Sequence, residues 1–337
     1  MSKTGVLLIN LGTPNDAKWG AVRTYLSEFL NDPRVIDLPW LFRKILVNGI
    51  IIPFRSFSST KIYKQLWTEK GSPLIYHGES VAEKLQSQLG EDFGVHLAMR
   101  YQNPSIEFAL DNLKAKNVGK IIVLPLFPQY ASASTGSVIQ KVNEVVNTWQ
   151  AIPEISFINQ FFDHPKFIKA FVENGLELYN KNEYDFVVFS YHGLPERQIE
   201  KASVEGYCQL NGTCCSTHHS KNKLCYRAQC YATTRLLAEG MGLKEDQYTT
   251  TFQSRLGKTP WIKPYTDEVL KELPAKGIKK VLAFSPAFIA DCLETTVEVG
   301  ETFKEEFLKA GGERWDLVPS LNNNSTWVEC LEELVKK

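Results

Sequence analysis

The segment DFVVFSYHGLPERQ, residues 185–198, runs through apolar and aromatic side chains and ends in Ser190, Tyr191, His192 and Gly193, with Pro195 just beyond. A histidine delivered to the end of such a run can accept a proton or bind a metal ion, because its ordinary pKa of about 6.5 leaves it neutral at working pH. The competing explanation is a histidine satisfied inside the fold. A second group lies in FSPAFIADCLETTVEVGETF, residues 284–303, where Asp291, Glu294 and Glu298 fall at i, i+3 and i+7. That spacing puts three carboxylates on one face of a helix starting near residue 291, where they could hold a metal or relay protons. Asp291 and Glu294 also read as a capping box, which leaves Glu298 without a structural duty.

Two further stretches carry reactive types. In LFPQYASASTGSV, residues 126–138, small and hydroxyl side chains follow a strand into a glycine-containing loop. They could meet an anionic or flat ligand, or simply cap a helix. Five of the seven cysteines crowd into residues 208–230: Cys208, Cys214, Cys215, Cys225 and Cys230, with His218 and His219 among them. Thiols this dense in an intracellular protein point to metal ligation rather than disulfides. The spacing C-x5-C-C-x9-C-x4-C matches neither paired zinc-ribbon cysteines nor the common ferredoxin patterns, so zinc, an iron–sulfur cluster and a metal-free loop all stay open.

These groups need elements to hold them. Apolar runs at 5–12, 94–101, 120–130, 186–193, 248–255 and 279–288 are hydrophobic throughout rather than alternating, as strands covered on both faces are. Helical patterns such as 79–89 and 106–116 lie between them. The alternation predicts an α/β fold with parallel sheets, whose ligands bind beyond the carboxyl ends of the strands. The halves echo each other. Each has a strand ending at an arginine (Arg100, Arg255), a proline-bearing loop, a helix, and a strand ending at a proline (Pro125, Pro286). We therefore expect two similar Rossmann-like domains, at 1–150 and 151–315. The second carries a cysteine-rich insertion at about 205–230, and a last helix at 316–337 packs back on the first. Neither G-x-G-x-x-G, a P-loop nor G-x-S-x-G is present.

Composition narrows the class. The chain has 337 residues, 43% hydrophobic and 23% charged, with 38 basic and 38 acidic side chains. A net charge of zero argues against nucleic acid as a partner. No apolar run is long enough to span a membrane, and the first strand lacks the cleavage signal of a leader, so a cytoplasmic protein is expected. PWLFRKILVNGIIIPF, residues 39–54, reads as an amphipathic surface segment or a hydrophobic lip, in peripheral contact with membrane or packed on its domain.

Taken together, LLINLGTP, GSPL (71–74), MRYQNPS, LPLFPQYASASTGS, SYHGLPE, TFQSRLGKTPWIKPYTDE and FIADCLETTVE resemble the ferrochelatases along nearly the whole chain. The resemblance implies two Rossmann-like domains with a porphyrin cleft between them, and insertion of Fe(II) into protoporphyrin IX with loss of two pyrrole protons. It implies His192 as the active-site base and Glu294 facing it across the cleft, His192 and Glu294 being the groups for iron. Glu298 stands behind as a relay. Arg100, Tyr101, Tyr130, Ser132, Ser134, Thr135 and Trp261 are implied at the porphyrin. Cys292 stands where other members have histidine, so that position is not a required ligand. Some members carry a [2Fe–2S] cluster, which points to four of the five clustered cysteines, with zinc as the alternative and Cys230 the weakest candidate. Coproporphyrin or cobalt insertion, or a non-catalytic tetrapyrrole carrier or iron–sulfur sensor, compete with this reading. Monomer and homodimer are both compatible with it. Gly193 is expected to let the flat ring approach.

Overall fold

The computed structural model describes residues 3–255, 257 and 259–337; Leu256 and Lys258 of the TFQSRLGKTPW stretch lie outside the described residues. The chain divides into two compact units, one of residues 1–127, 131–160 and 331–337, the other of residues 128–130 and 161–330.

The first unit holds a sheet of β1 (Thr4–Gly12), β2 (Phe93–Tyr101), β3 (Lys120–Pro125) and β4 (Glu154–Phe157), all parallel, in the order β2-β1-β3-β4. The second holds β5 (Phe186–His192), β6 (Tyr248–Gln253), β7 (Lys280–Phe284) and β8 (Arg314–Leu317), also parallel, in the equivalent order β6-β5-β7-β8. Apolar side chains on successive strand residues need cover on both faces, and helices supply it. In the first unit Leu7, Ile9 and Val123 pack against Leu110 and Leu113 of one helix and Val138 and Val142 of another. In the second, Val188, Val281 and Ala283 pack against Leu270, Val299, Phe303 and Phe307.

The echo between the halves is therefore structural, but its register differs from the sequence reading. Asn10 pairs with Met99, and Tyr191 pairs with Phe252. The Met99 N–H donates to Pro104 O, just as the Phe252 N–H donates to Pro264 O. The counterpart of Arg100 is thus Gln253, not Arg255. Arg255 instead pairs at the surface with Asp267 and Glu268, both at 2.8 Å. Likewise Leu8 faces Leu124 while Phe189 faces Phe284, so Pro125 matches Ser285 and Pro286 falls one place later. In the same register Leu11, Gly12 and Pro14 match His192, Gly193 and Pro195.

Candidate active site

His192 closes β5 and is half-buried. Its ring makes edge contacts with Trp261, at 6.5 Å between centroids, and with Phe288, at 6.3 Å. Trp261 is held there by backbone pairing with the loop after His192: Pro195 bridges Trp261, and the Ile262 N–H donates to Leu194 O. From the other side the Tyr226 hydroxyl donates to the His192 carbonyl at 2.8 Å.

Gly193 has a different task from the one expected. A Cβ built there would stand 2.8 Å from Gln253 O and 3.2 Å from Trp261, so the missing side chain makes room for β6 and the tryptophan rather than for a ligand. Gly12 does the same against the Tyr101 carbonyl, at 2.0 Å.

The carboxylates ride on a wide helical turn. Residues Leu293–Thr302 form a π-helix that continues into the α-helix Phe303–Lys309. Its cap is one residue later than the spacing suggested: Cys292 and Thr295 satisfy the helix start, while Asp291 is taken up by Asn322, whose amide donates to it at 2.9 Å. Asp291 thus leaves the acidic face. Glu294 and Glu298, four residues apart, share one side of the π-helix as they would of an α-helix, and such π segments recur at functional sites. Val299 points the other way into the core. The Cys292 thiol is buried, and that burial pushes its pKa well up, so it stays a neutral core group.

Glu298 is mostly buried. Its carboxylate accepts from Ser254 Oγ at 2.5 Å and from Gln253 Nε2 at 3.2 Å. Loss of hydration, reinforced by the charge of Glu294, raises its pKa to about 7 against the hydrogen bonds from Ser254 and Gln253 that lower it. A carboxylic acid poised there can take or give a proton near neutrality. His192, Glu294 and Glu298 all belong to the second unit. Gln253 joins them: it is the register partner of His192, and its amide reaches the Glu294 carbonyl as well as Glu298. Gln253, Ser254 and Phe288 carry no sequence signal beyond their places in the runs TFQSR and FSPAF, and Ser190 none beyond its place ahead of His192.

In the first unit, Arg100 and Tyr101 face inward. Asp32 Oδ2 receives Arg100 at 2.7 Å, the Tyr101 hydroxyl at 2.9 Å and Ser137 Oγ at 2.5 Å. Tyr101 has no exposed surface, and burial beside Asp32 pushes its hydroxyl pKa upward. These two residues thus clamp the start of helix Ser137–Val146, Tyr101 from within and Arg100 with part of its side chain exposed. Ser132 and Ser134 are part-exposed on the π-turn Ser132–Gly136, where Arg34 holds Ser132 Oγ at 2.9 Å. Thr135 is fully buried, its hydroxyl without a hydrogen-bond partner among the described residues. Tyr130, part-exposed, belongs to the second unit, where its N–H donates to Gln229 at 2.6 Å. Asp32 was missed because nothing in NDPRV marks a buried acid.

The cysteine segment is irregular, with short turns at Val204–Gly206, Thr213–Cys215 and Ser220–Asn222. Buried Asn222 ties it together through Cys214 O, Thr217 O and the His219 N–H. None of the seven cysteines is in a disulfide. Cys208 lies in hydrogen-bonding reach of Cys214, Cys214 Sγ stands 4.0 Å from Cys215 Sγ, and Cys215 meets Cys225. The hydrogen bond from Cys215, with backbone amides at the start of helix Tyr226–Gly240, lowers Cys225 to about 6. Cys230 is fully buried and engages Tyr226 instead. His218 meets Phe162 edge-on, at 4.8 Å between centroids, and the His219 ring meets the Tyr207 hydroxyl at 2.6 Å. Among the described residues no three such side chains already converge as a metal-binding group.

A family profile described as Ferrochelatase matches residues 3–337. A ferrochelatase of Legionella pneumophila is 48% identical over 335 residues, covering 99% of each chain. One from Coxiella burnetii is 44% identical over 337 residues, covering 100% of this chain and 94% of its own. Among solved structures, SirB from Bacillus subtilis with Fe3+ superposes with a TM-score of 0.58 at 12% identity, over 99% of this chain and 94% of that one. The sirohydrochlorin chelatase SirB in complex with cobalt gives 0.55 at 12% identity over the same shares; these two likenesses speak for the fold alone.

Proposed function

The chain belongs to the ferrochelatase family, and from that premise we propose which of its residues carry the reaction. It is a metal chelatase that inserts iron into a porphyrin in haem biosynthesis. Our reading of the substrate is protoporphyrin IX, converted to protohaem as two pyrrole protons leave. One observation carries the assignment of residues: His192 and the π-helix bearing Glu294 and Glu298 lie in one unit, and Gln253, the register partner of His192, donates to the Glu298 carboxylate and to the Glu294 backbone carbonyl.

In this reading neutral His192, edge-on to Trp261 and Phe288, accepts pyrrole protons. Glu294 supplies a hard oxygen for Fe(II), and Glu298 passes protons onward. Trp261 forms a wall for the ring. Tyr130, Ser132 and Ser134 reach the porphyrin edge, while Arg100, Tyr101 and Thr135 act from within by fixing the 132–137 turn. Turnover assayed without oxygen, with protoporphyrin and coproporphyrin in parallel, tests the substrate. His192→Ala is expected to lose at least a hundredfold in turnover, about the worth of a positioned base, while porphyrin binding by fluorescence persists. Near-parental turnover would remove the assignment.

The same proposal gives Cys208, Cys214, Cys215 and Cys225 a [2Fe–2S] cluster and leaves Cys230 structural. The donor chemistry supports this: four soft thiols are chained by mutual contacts, and three of them, Cys208, Cys214 and Cys225, line a cavity of about 220 Å³. Bound there, the group would cross-link the loop and exchange a single electron. We further assign segment 39–54 a peripheral membrane contact on a cytoplasmic protein. In its support, Trp40, Leu41, Phe42, Ile45, Ile50 and Phe54 are exposed, while Arg43 turns inward to the Leu38 carbonyl at 2.6 Å. No helix among the described residues is long and apolar enough to cross a membrane.

A further inference from the structure

Gln253 is almost wholly buried, 3% exposed, at the end of β6. Its Oε1 accepts from Ser190 Oγ at 2.6 Å. Ser190 Oγ in turn lies 2.9 Å from the Thr266 hydroxyl, whose one proton can serve Ser190 or Thr251, so the serine is braced within the sheet. The opposite end of the amide faces only acceptors, the Glu298 carboxylate and the Glu294 carbonyl, each at 3.2 Å. A carboxamide has donors at one end and an acceptor at the other, so this surrounding admits one orientation. Reversed, Oε1 would oppose two oxygens.

The duplicated fold shows what else could stand here. In the first unit the same strand position is Arg100, which likewise grips the start of the helix following the third strand, at Ser137, but as a cation paired with Asp32 at 2.7 Å. A guanidinium beside Glu294 and Glu298 would repel an incoming divalent metal and hold the carboxylates in ion pairs. The amide makes the same mechanical tie without charge.

We infer that Gln253 is a positioning residue for metal insertion: braced by Ser190, its amide fixes the turn of the π-helix that bears Glu294 and Glu298 and keeps a fixed cation away from them. This rests on the reading that Glu298 serves the reaction, so the experiment separates the two. Iron insertion into protoporphyrin is measured without oxygen for Gln253→Met, Ser190→Ala, Glu298→Gln and the Gln253→Met/Glu298→Gln double variant, with porphyrin binding and thermal unfolding alongside. Misplacing a reacting group by a fraction of an ångström costs rate rather than binding, so Gln253→Met is expected to lose about tenfold or more in kcat. Porphyrin KM should stay within about twofold. Ser190→Ala should fall in the same direction by about threefold. Because Gln253 acts through the carboxylates, the double variant should be no slower than Glu298→Gln within about twofold. Parental kcat in Gln253→Met, or a double variant that loses the product of the two single losses, overturns the inference while leaving the role of Glu298 standing. Parental turnover in Glu298→Gln removes that role and the inference together. Should Gln253→Met fail to melt cooperatively, Ser190→Ala decides: an unchanged kcat there overturns it.

Discussion

Glu298 is a buried acid whose neighbours donate hydrogen bonds but carry no positive charge. Its pKa of about 7, raised first by burial, lies above the ordinary carboxylate value near 4.5. Between these two values the folded state holds a proton that the unfolded chain has released, so its contribution to stability is full below about pH 4.5 and is lost as pH rises towards 7. The whole effect is on the order of 3 kcal/mol before any relaxation of the site. Glu298→Gln, which removes the ionisation, should therefore melt above the parent at pH 8 and approach it at pH 4.5. Thermal unfolding across that range checks this, and a gap that does not change with pH would contradict the buried-acid account. The contrast with Asp32 is instructive: there an arginine and two hydroxyls meet the carboxylate, and the group is structural.

At the scale of elements, two segments are more than connections. The π-helix Leu293–Thr302 aims two acids one way and Val299 into the core. The cysteine loop is braced at both ends: Arg227 donates to Leu210 O at 2.7 Å and to Lys263 O at 2.8 Å, while Tyr226 of the same helix holds the His192 carbonyl. A loop this short of regular structure must draw rigidity from side-chain ties or from a metal. Protein purified without oxygen should show charge-transfer absorption that bleaches with dithionite, with about two irons and two sulfides per chain. Cys225→Ser should abolish it, and Cys230→Ser should keep it. A colourless protein with about one zinc would replace the cluster by a structural knuckle and leave the chelatase reaction untouched.

At the scale of the molecule, one α/β plan is used twice with different chemistry. The first unit closes its second strand on an arginine–aspartate network and exposes a run of apolar side chains at residues 40–57. The second ends the matching strand on a neutral amide and gathers the titrating groups. In the proposal of a peripheral membrane contact, the attraction to lipid comes from that apolar run. Large side chains are worth about 2 kcal/mol each when buried, so Trp40→Asp with Phe42→Asp should weaken vesicle binding more than tenfold in a flotation assay, with turnover on detergent-dispersed porphyrin retained. Equal flotation of parent and variant would assign the segment to packing instead.

What the sequence by itself determined was local or periodic. Continuous apolar runs identified strands covered on both faces, their alternation with helical patterns identified the α/β plan, and the repeated order of signals revealed the duplication. SYHGLPE and the acidic spacing after residue 290 located His192, Glu294 and Glu298 because strand ends and helix faces follow from short-range geometry. The tertiary structure decided everything that depends on which strand lies beside which. Register made Gln253, not Arg255, the partner of Arg100 and the neighbour of His192. It turned Gly193 from a ligand's clearance into a strand's. It moved the cap from Asp291 to Cys292, and it hid Tyr101 behind Asp32. A hydrogen bond between residues far apart in the chain leaves no periodic trace. The polar ties that set charge and orientation at this site are of that kind, and folding alone brings their donors and acceptors together.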